Sequence, residues 1–189
     1  MKKMNSKGFT LIELLAVITI MGILMMVAIP SVSRTIENSR RDTFANVAHE
    51  YVNAVRNGVL ADNIECQKVA GDDTKGFAAA SATPDGTYYF TIDTTEQNTK
   101  DLMESGGLSP FGNSDMAGYV KWVKTTDNSN AQNPKTTTKY TMVLYDTGGH
   151  GFIEEKSEEQ IKRANISTNV TIPNGGKKTV ASAKKCKVA

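Results

Sequence analysis

Glu13 occupies the most demanding chemical position in the chain. It is the single charge in the 21-residue apolar run from Phe9 to Ile29. A carboxylate inside an apolar membrane helix costs about 2.5–3.5 kcal/mol on insertion scales, so a buried Glu13 needs a cationic partner. Its alternative place is the membrane surface, where the start of a helix favours negative charge. No other constellation suggests catalysis. His49 reads as part of a helix face and His150 as part of a glycine-rich turn. Neither Cys66 nor Cys186 lies in a CxxC pattern, and no HxxxH pair offers zinc ligands. The GxxxxGK[ST] phosphate loop is absent, so the chain has no ATPase motif of its own. Asp72-Asp73 and Asp127-Asn128-Ser129-Asn130 lack the EF-hand spacing and read as polar loops. The expectation is a non-enzyme without cofactor or metal.

The elements around Glu13 decide what it can do. Met1–Gly8 carries Lys2, Lys3 and Lys7 and no acidic residue. At about 1.5 Å per residue, the 21 residues that follow reach roughly 32 Å as a helix, enough for a bilayer core of about 30 Å. Flanking lysines hold the short N-terminal side in the cytoplasm, which places everything after Pro30 outside. Two cysteines in such an exported region, Cys66 and Cys186, point to one disulfide, with two free thiols as the alternative. The whole chain has a formal charge of +2. Without the three lysines of residues 1–8, 19 basic residues face 20 acidic ones, a net of about −1. The body therefore lacks the basic balance of a nucleic-acid binder.

An ordinary secretory signal is cut after a 7–15 residue apolar core, and this apolar run is longer. The sequence Lys7-Gly8-Phe9-Thr10-Leu11-Ile12-Glu13-Leu14-Leu15 instead resembles the type IV prepilin signal. That resemblance implies a membrane-embedded prepilin peptidase cutting between Gly8 and Phe9 and N-methylating Phe9. The apolar helix stays with the mature chain, and the new α-amino group lies four residues before Glu13. In a stack of helices, the Phe9 amine of one subunit then pairs with Glu13 of a neighbour, fixing register as a buried polar group does in coiled coils. Gly22 and Pro30 fall where similar pilins carry helix-weakening residues. Residues 22–30 are accordingly expected to be helical in the membrane and to melt partly in a filament, an ordinary membrane-helix kink being the other reading.

After Pro30 the helical period continues through Val32, Ile36, Phe44, Val47, Tyr51, Val55 and Val59. One helix over about residues 9–62 follows, approaching ~80 Å, with a membrane half (9–30) and an amphipathic half (31–62). Residues 63–86 read as a connecting loop. Strands are expected at Thr87–Ile92, Gly118–Lys124, Lys139–Tyr145 and Gly151–Ile153, with a short helix at Thr95–Glu104 and a Gly-rich turn at Gly106–Gly112. Ser157-Glu158-Glu159-Gln160 has the capping-box form and predicts a helix to about Arg163. Thr168–Ile172 and Thr179–Lys187 offer one or two further strands around Asn174-Gly175-Gly176. The fold class is α+β, a long N-terminal helix packed on an antiparallel sheet head over 63–189, the pilin fold by resemblance. Many pilins confine their disulfide to the C-terminal region, whereas Cys66 here lies just past the long helix.

Resemblance implies a structural subunit that polymerises with other pilins into an extracellular filament for adhesion, surface motility or biofilm formation. Its assembly would draw on a pilus ATPase and an inner-membrane platform protein. A minor pilin, or a type II secretion or competence pseudopilin, is the alternative. Lys177, Lys178, Lys184, Lys185 and Lys187 form a basic tail, read as a solvated face, so nucleic acid is not an expected partner. Asn165-Ile166-Ser167 and Asn169-Val170-Thr171 have the glycosylation pattern, which is frequent by chance.

Overall fold

A computed structural model describes residues 9–72, 76–103, 108–112, 114–130, 132–173 and 184–189. The chain divides into two compact units, Met1–Ser39 and Arg40–Ala189. Helix α1, Leu11–Leu60, supplies the described part of the first unit and the opening helix of the second. It continues through Gly22 and Pro30 without interruption. In the first unit its large apolar side chains remain open, from 48% exposed at Ile36 to 83% at Leu11.

From Arg40 onward the same helix becomes one-sided. Phe44, Ala45, Ala48, Tyr51, Val52 and Val55 recur at helical spacing and are buried. Val47 and Val59, expected on the same face, pack at its margin, while Val32 and Ile36 stay exposed. The small residues Ala45 and Ala48 carry part of the contact, which a count of large apolar residues overlooks.

That face packs on a seven-stranded sheet built from the described residues. The strands are β1 (Ile64–Gln67), β2 (Phe77–Ala79), β3 (Gly86–Asp93), β4 (Met116–Asp127), β5 (Lys135–Asp146), β6 (Gly151–Ser157) and β7 (Lys184–Val188). A short helix, α2 (Gln97–Leu102), follows β3. The order across the sheet is β2-β1-β7-β3-β4-β5-β6. Every pair is antiparallel except β3 with β7. Strand alternation sends Tyr88, Phe90, Trp122, Met142 and Leu144 into the core shared with α1. Trp122 stacks on Tyr88 with ring centroids 4.5 Å apart. Alternate residues Ala117, Tyr119, Val143 and Tyr145 form a second cluster, covered by Val170 and Ile172.

The strands meet closely at two glycines. A Cβ on Gly118 would lie 2.0 Å from the Val143 carbonyl oxygen. One on Gly151, where φ is +125°, would lie 2.3 Å from the Leu144 oxygen. Only a residue without a side chain fits there.

Several expectations need correction. Residues 63–86 are more than a loop: their described part holds β1, β2 and a 3-10 turn at Ala80–Ala82. β1 has only four residues and pairs with a strand near position 186, so local pattern does not announce it. Thr168–Ile172 forms no strand; Ser167 bridges Gly151, and Val170 N–H donates to the Gly149 carbonyl. Those apolar side chains serve as cover for the second cluster. The Ser157–Gln160 capping box forms, but it opens two short 3-10 turns, Glu158–Gln160 and Arg163–Asn165, rather than one continuous helix. Met1–Gly8, Glu104, Gly106, Asn174–Gly176, Lys177 and Lys178 lie outside the described residues.

Candidate functional site: the start of the apolar helix

Glu13 sits in the first turn of α1. The Thr10 backbone N–H and the Thr10 hydroxyl both donate to Glu13 Oε2 at 2.8 Å. In return, the Glu13 backbone N–H donates to Thr10 Oγ1 at 3.3 Å. This is a capping box, two residue types that satisfy each other's exposed backbone donors at a helix start. Thr10 is the participant that sequence reasoning passed over, although the Thr-x-x-Glu spacing was present. Phe9 precedes the helix and is fully open to its surroundings. The helix beyond is long and apolar enough to cross a membrane, and none of its apolar window is buried within the chain. Such a surface requires an apolar environment outside the chain.

The family model for the prokaryotic N-terminal methylation motif matches residues 3–29. Together with the long apolar helix, this fits a type IV pilin-like protein. No curated protein and no solved structure matches the chain. The motif marks structural pilin-type subunits rather than an enzyme family, and it implies processing by prepilin peptidase and assembly in a pilus or secretion system. Motif and helix also support membrane anchoring followed by assembly into a surface filament.

Elsewhere among the described residues the polar side chains serve the fold. Cys66 and Cys186 are bonded, joining directly opposed positions of β1 and β7. The link therefore runs strand to strand inside the sheet. His49 Nε2 lies 2.9 Å from the Ile161 carbonyl oxygen, tying α1 to the chain after β6. Arg56 with Glu158, and Arg163 with Asp42, add ion pairs between the same two elements. Hydrogen bonding from Arg163 holds the Asp42 carboxyl below its usual range.

His150 belongs to a polar knot that the sequence did not disclose. Asp146, fully buried, receives the Ser109 hydroxyl, the His150 backbone N–H at 2.8 Å and His150 Nδ1 at 2.9 Å. The imidazole stacks on Phe111, with centroids 4.1 Å apart. Both the hydroxyl and the imidazole point at the same carboxylate, so no base faces the serine as it would in a hydrolytic triad. The knot pins the 108–112 loop to the β5–β6 turn.

Asp127 accepts from the Ser129 backbone at 2.9 Å and from its hydroxyl, closing the β4–β5 hairpin. Asn165 donates to the Gln160 carbonyl at 2.6 Å. Among the described residues, no group of three or more His, Cys, Asp or Glu is arranged to hold a metal ion. The described tail lysines lie along β7, with Lys184 over the Tyr88 ring and Lys187 over Phe77.

Proposed function

We propose that this chain is the structural subunit of a type IV pilus. Prepilin peptidase cuts between Gly8 and Phe9 and methylates Phe9, and the mature subunit polymerises through its apolar helix into an extracellular filament. The observation that carries this reading is an apolar helical segment, unburied within the chain, that opens with a Thr10–Glu13 capping box inside a methylation motif. Thr10 occupies Glu13 Oε2, and Oε1 is the oxygen assigned to the Phe9 amine of a neighbouring subunit. Pairing removes both charges from the apolar filament core and makes one helical offset better than others. Gly22 and Pro30 are the assigned melting points of the segment between membrane and head. Adhesion, motility or biofilm formation are the uses of such a fibre.

The test is mass spectrometry of the protein from its native host. A mature chain starting at N-methylated Phe9, recovered in sheared filaments, is the expected result. A chain that keeps Met1, or starts after Ala28, would overturn the proposal.

A further inference from the structure

The sheet contains a strand whose own residues hold it poorly. β7 reads Lys-Lys-Cys-Lys-Val, yet it lies in the interior of the sheet, between β1 and β3. Interior strands are ordinarily rich in apolar and β-branched residues, because both faces are covered. Here only Cys186 is buried, and Val188 is half-buried. Three lysines in five residues carry like charge along one strand. Lys187 meets Glu65 at 3.7 Å, with both side chains substantially exposed. Backbone ties supply much of the remaining hold: the β1 and β3 ladders, Lys185 N–H to Gln67 Oε1 at 3.0 Å, and Val188 N–H to Asn98 Oδ1 at 2.8 Å. The neighbouring strands differ. β3 sends Tyr88, Phe90 and Ile92 into the core and pairs along its whole length with β4.

We infer that β7 is a strap latched by the Cys66–Cys186 disulfide. With the bond closed, β7 is fixed between β1 and β3. As a dithiol, the head opens locally: β7 leaves its slot while β3, β4, β5 and β6 remain paired. Release is a two-electron reduction. A dithiol reductant such as dithiothreitol attacks one sulfur as a thiolate, forms a mixed disulfide, and closes to its own cyclic disulfide. Cys66 and Cys186 each end with one added electron and one proton. Both sulfurs are buried, so the attack requires a transient opening of the slot. Reclosure needs a disulfide oxidant, as an exported compartment supplies. The latch does not depend on the filament reading, since it lies within the second unit.

Amide hydrogen exchange by mass spectrometry on the full chain in detergent micelles tests this. The oxidised protein is compared with Cys66→Ala/Cys186→Ala, and with wild type reduced by dithiothreitol and verified as a dithiol by mass. Residues 64–67, 88–90 and 184–188 are expected to exchange about tenfold faster or more without the bond, with β4 and β5 unchanged. Equal rates in both states would overturn the inference. So would a uniform acceleration of all strands, which would make the disulfide a global staple only. Should the double variant fail to fold, the reduced wild type carries the same comparison.

Discussion

The two halves of one helix follow opposite rules in this protein. Up to Ile29, α1 is apolar apart from Glu13 and a few small polar residues, and none of its most apolar window is buried within the chain. From Arg40, it is apolar on one side only, and that side is buried on the sheet. Both halves are α-helical, so the difference lies in the side chains and what surrounds them. A helix apolar all round seeks lipid or other such helices, whereas the amphipathic half completes a core already present in the chain. Under the proposed function, assembly draws on the first half and folding of the head on the second.

Substitutions should separate the two roles. Glu13→Ala has the largest expected effect: filaments disappear from sheared fractions while the thermal midpoint of the head stays at the wild-type value. Loss of both together would break the division. Trp122→Ala should do the reverse. It removes a fully buried ring stacked on Tyr88 and is expected to cost about 3–5 kcal/mol in denaturant unfolding. Membrane insertion of the precursor, read by alkaline extraction, should be unchanged. Gly118→Ala places a Cβ against the Val143 carbonyl and should cost about 1–3 kcal/mol in the same assay.

The smallest effect is a dependence on acid. Burial raises the Glu155 carboxyl, but hydrogen bonds from Lys121 and Tyr119 outweigh it and leave the group below its ordinary value of 4.5. Asp42 is held below 3.8 by Arg163. Groups whose folded values are depressed contribute stability above their unfolded values and lose it as pH falls through the folded ones. The head should thus keep its thermal midpoint from pH 7 to about 5 and lose it progressively below about 4. A midpoint that rises on acidification would contradict these assignments.

Much of this was legible in advance. α1 declared itself through its 3.6-residue period, and β3, β4 and β5 through runs such as Tyr88-Tyr89-Phe90 and Met142-Val143-Leu144. Glu13 stood out because a charge in an apolar run needs a reason. β1 and β2 stayed hidden because four- and three-residue strands have no period of their own and exist through pairing. β7 was only half visible, its lysines resembling a solvated tail more than an interior strand. The Asp146 knot depends on Ser109, 37 residues earlier, a distance over which local pattern is silent. Thr10 was missed for a different reason: its capping role overlapped with a motif already explained by cleavage.

The position of β7 also sets a timetable. Cys66 and Cys186 are 120 residues apart, and the strand that joins β1 to β3 comes from the later of those positions. A chain synthesised from its N-terminus delivers β1 long before β7. Until then the sheet exists as two unjoined portions, the β2-β1 pair and the β3-to-β6 meander. Contacts of such high order form slowly, because a long loop must close before any pairing rewards it. The meander is therefore the part able to fold first, and joining the β2-β1 pair to it waits for β7.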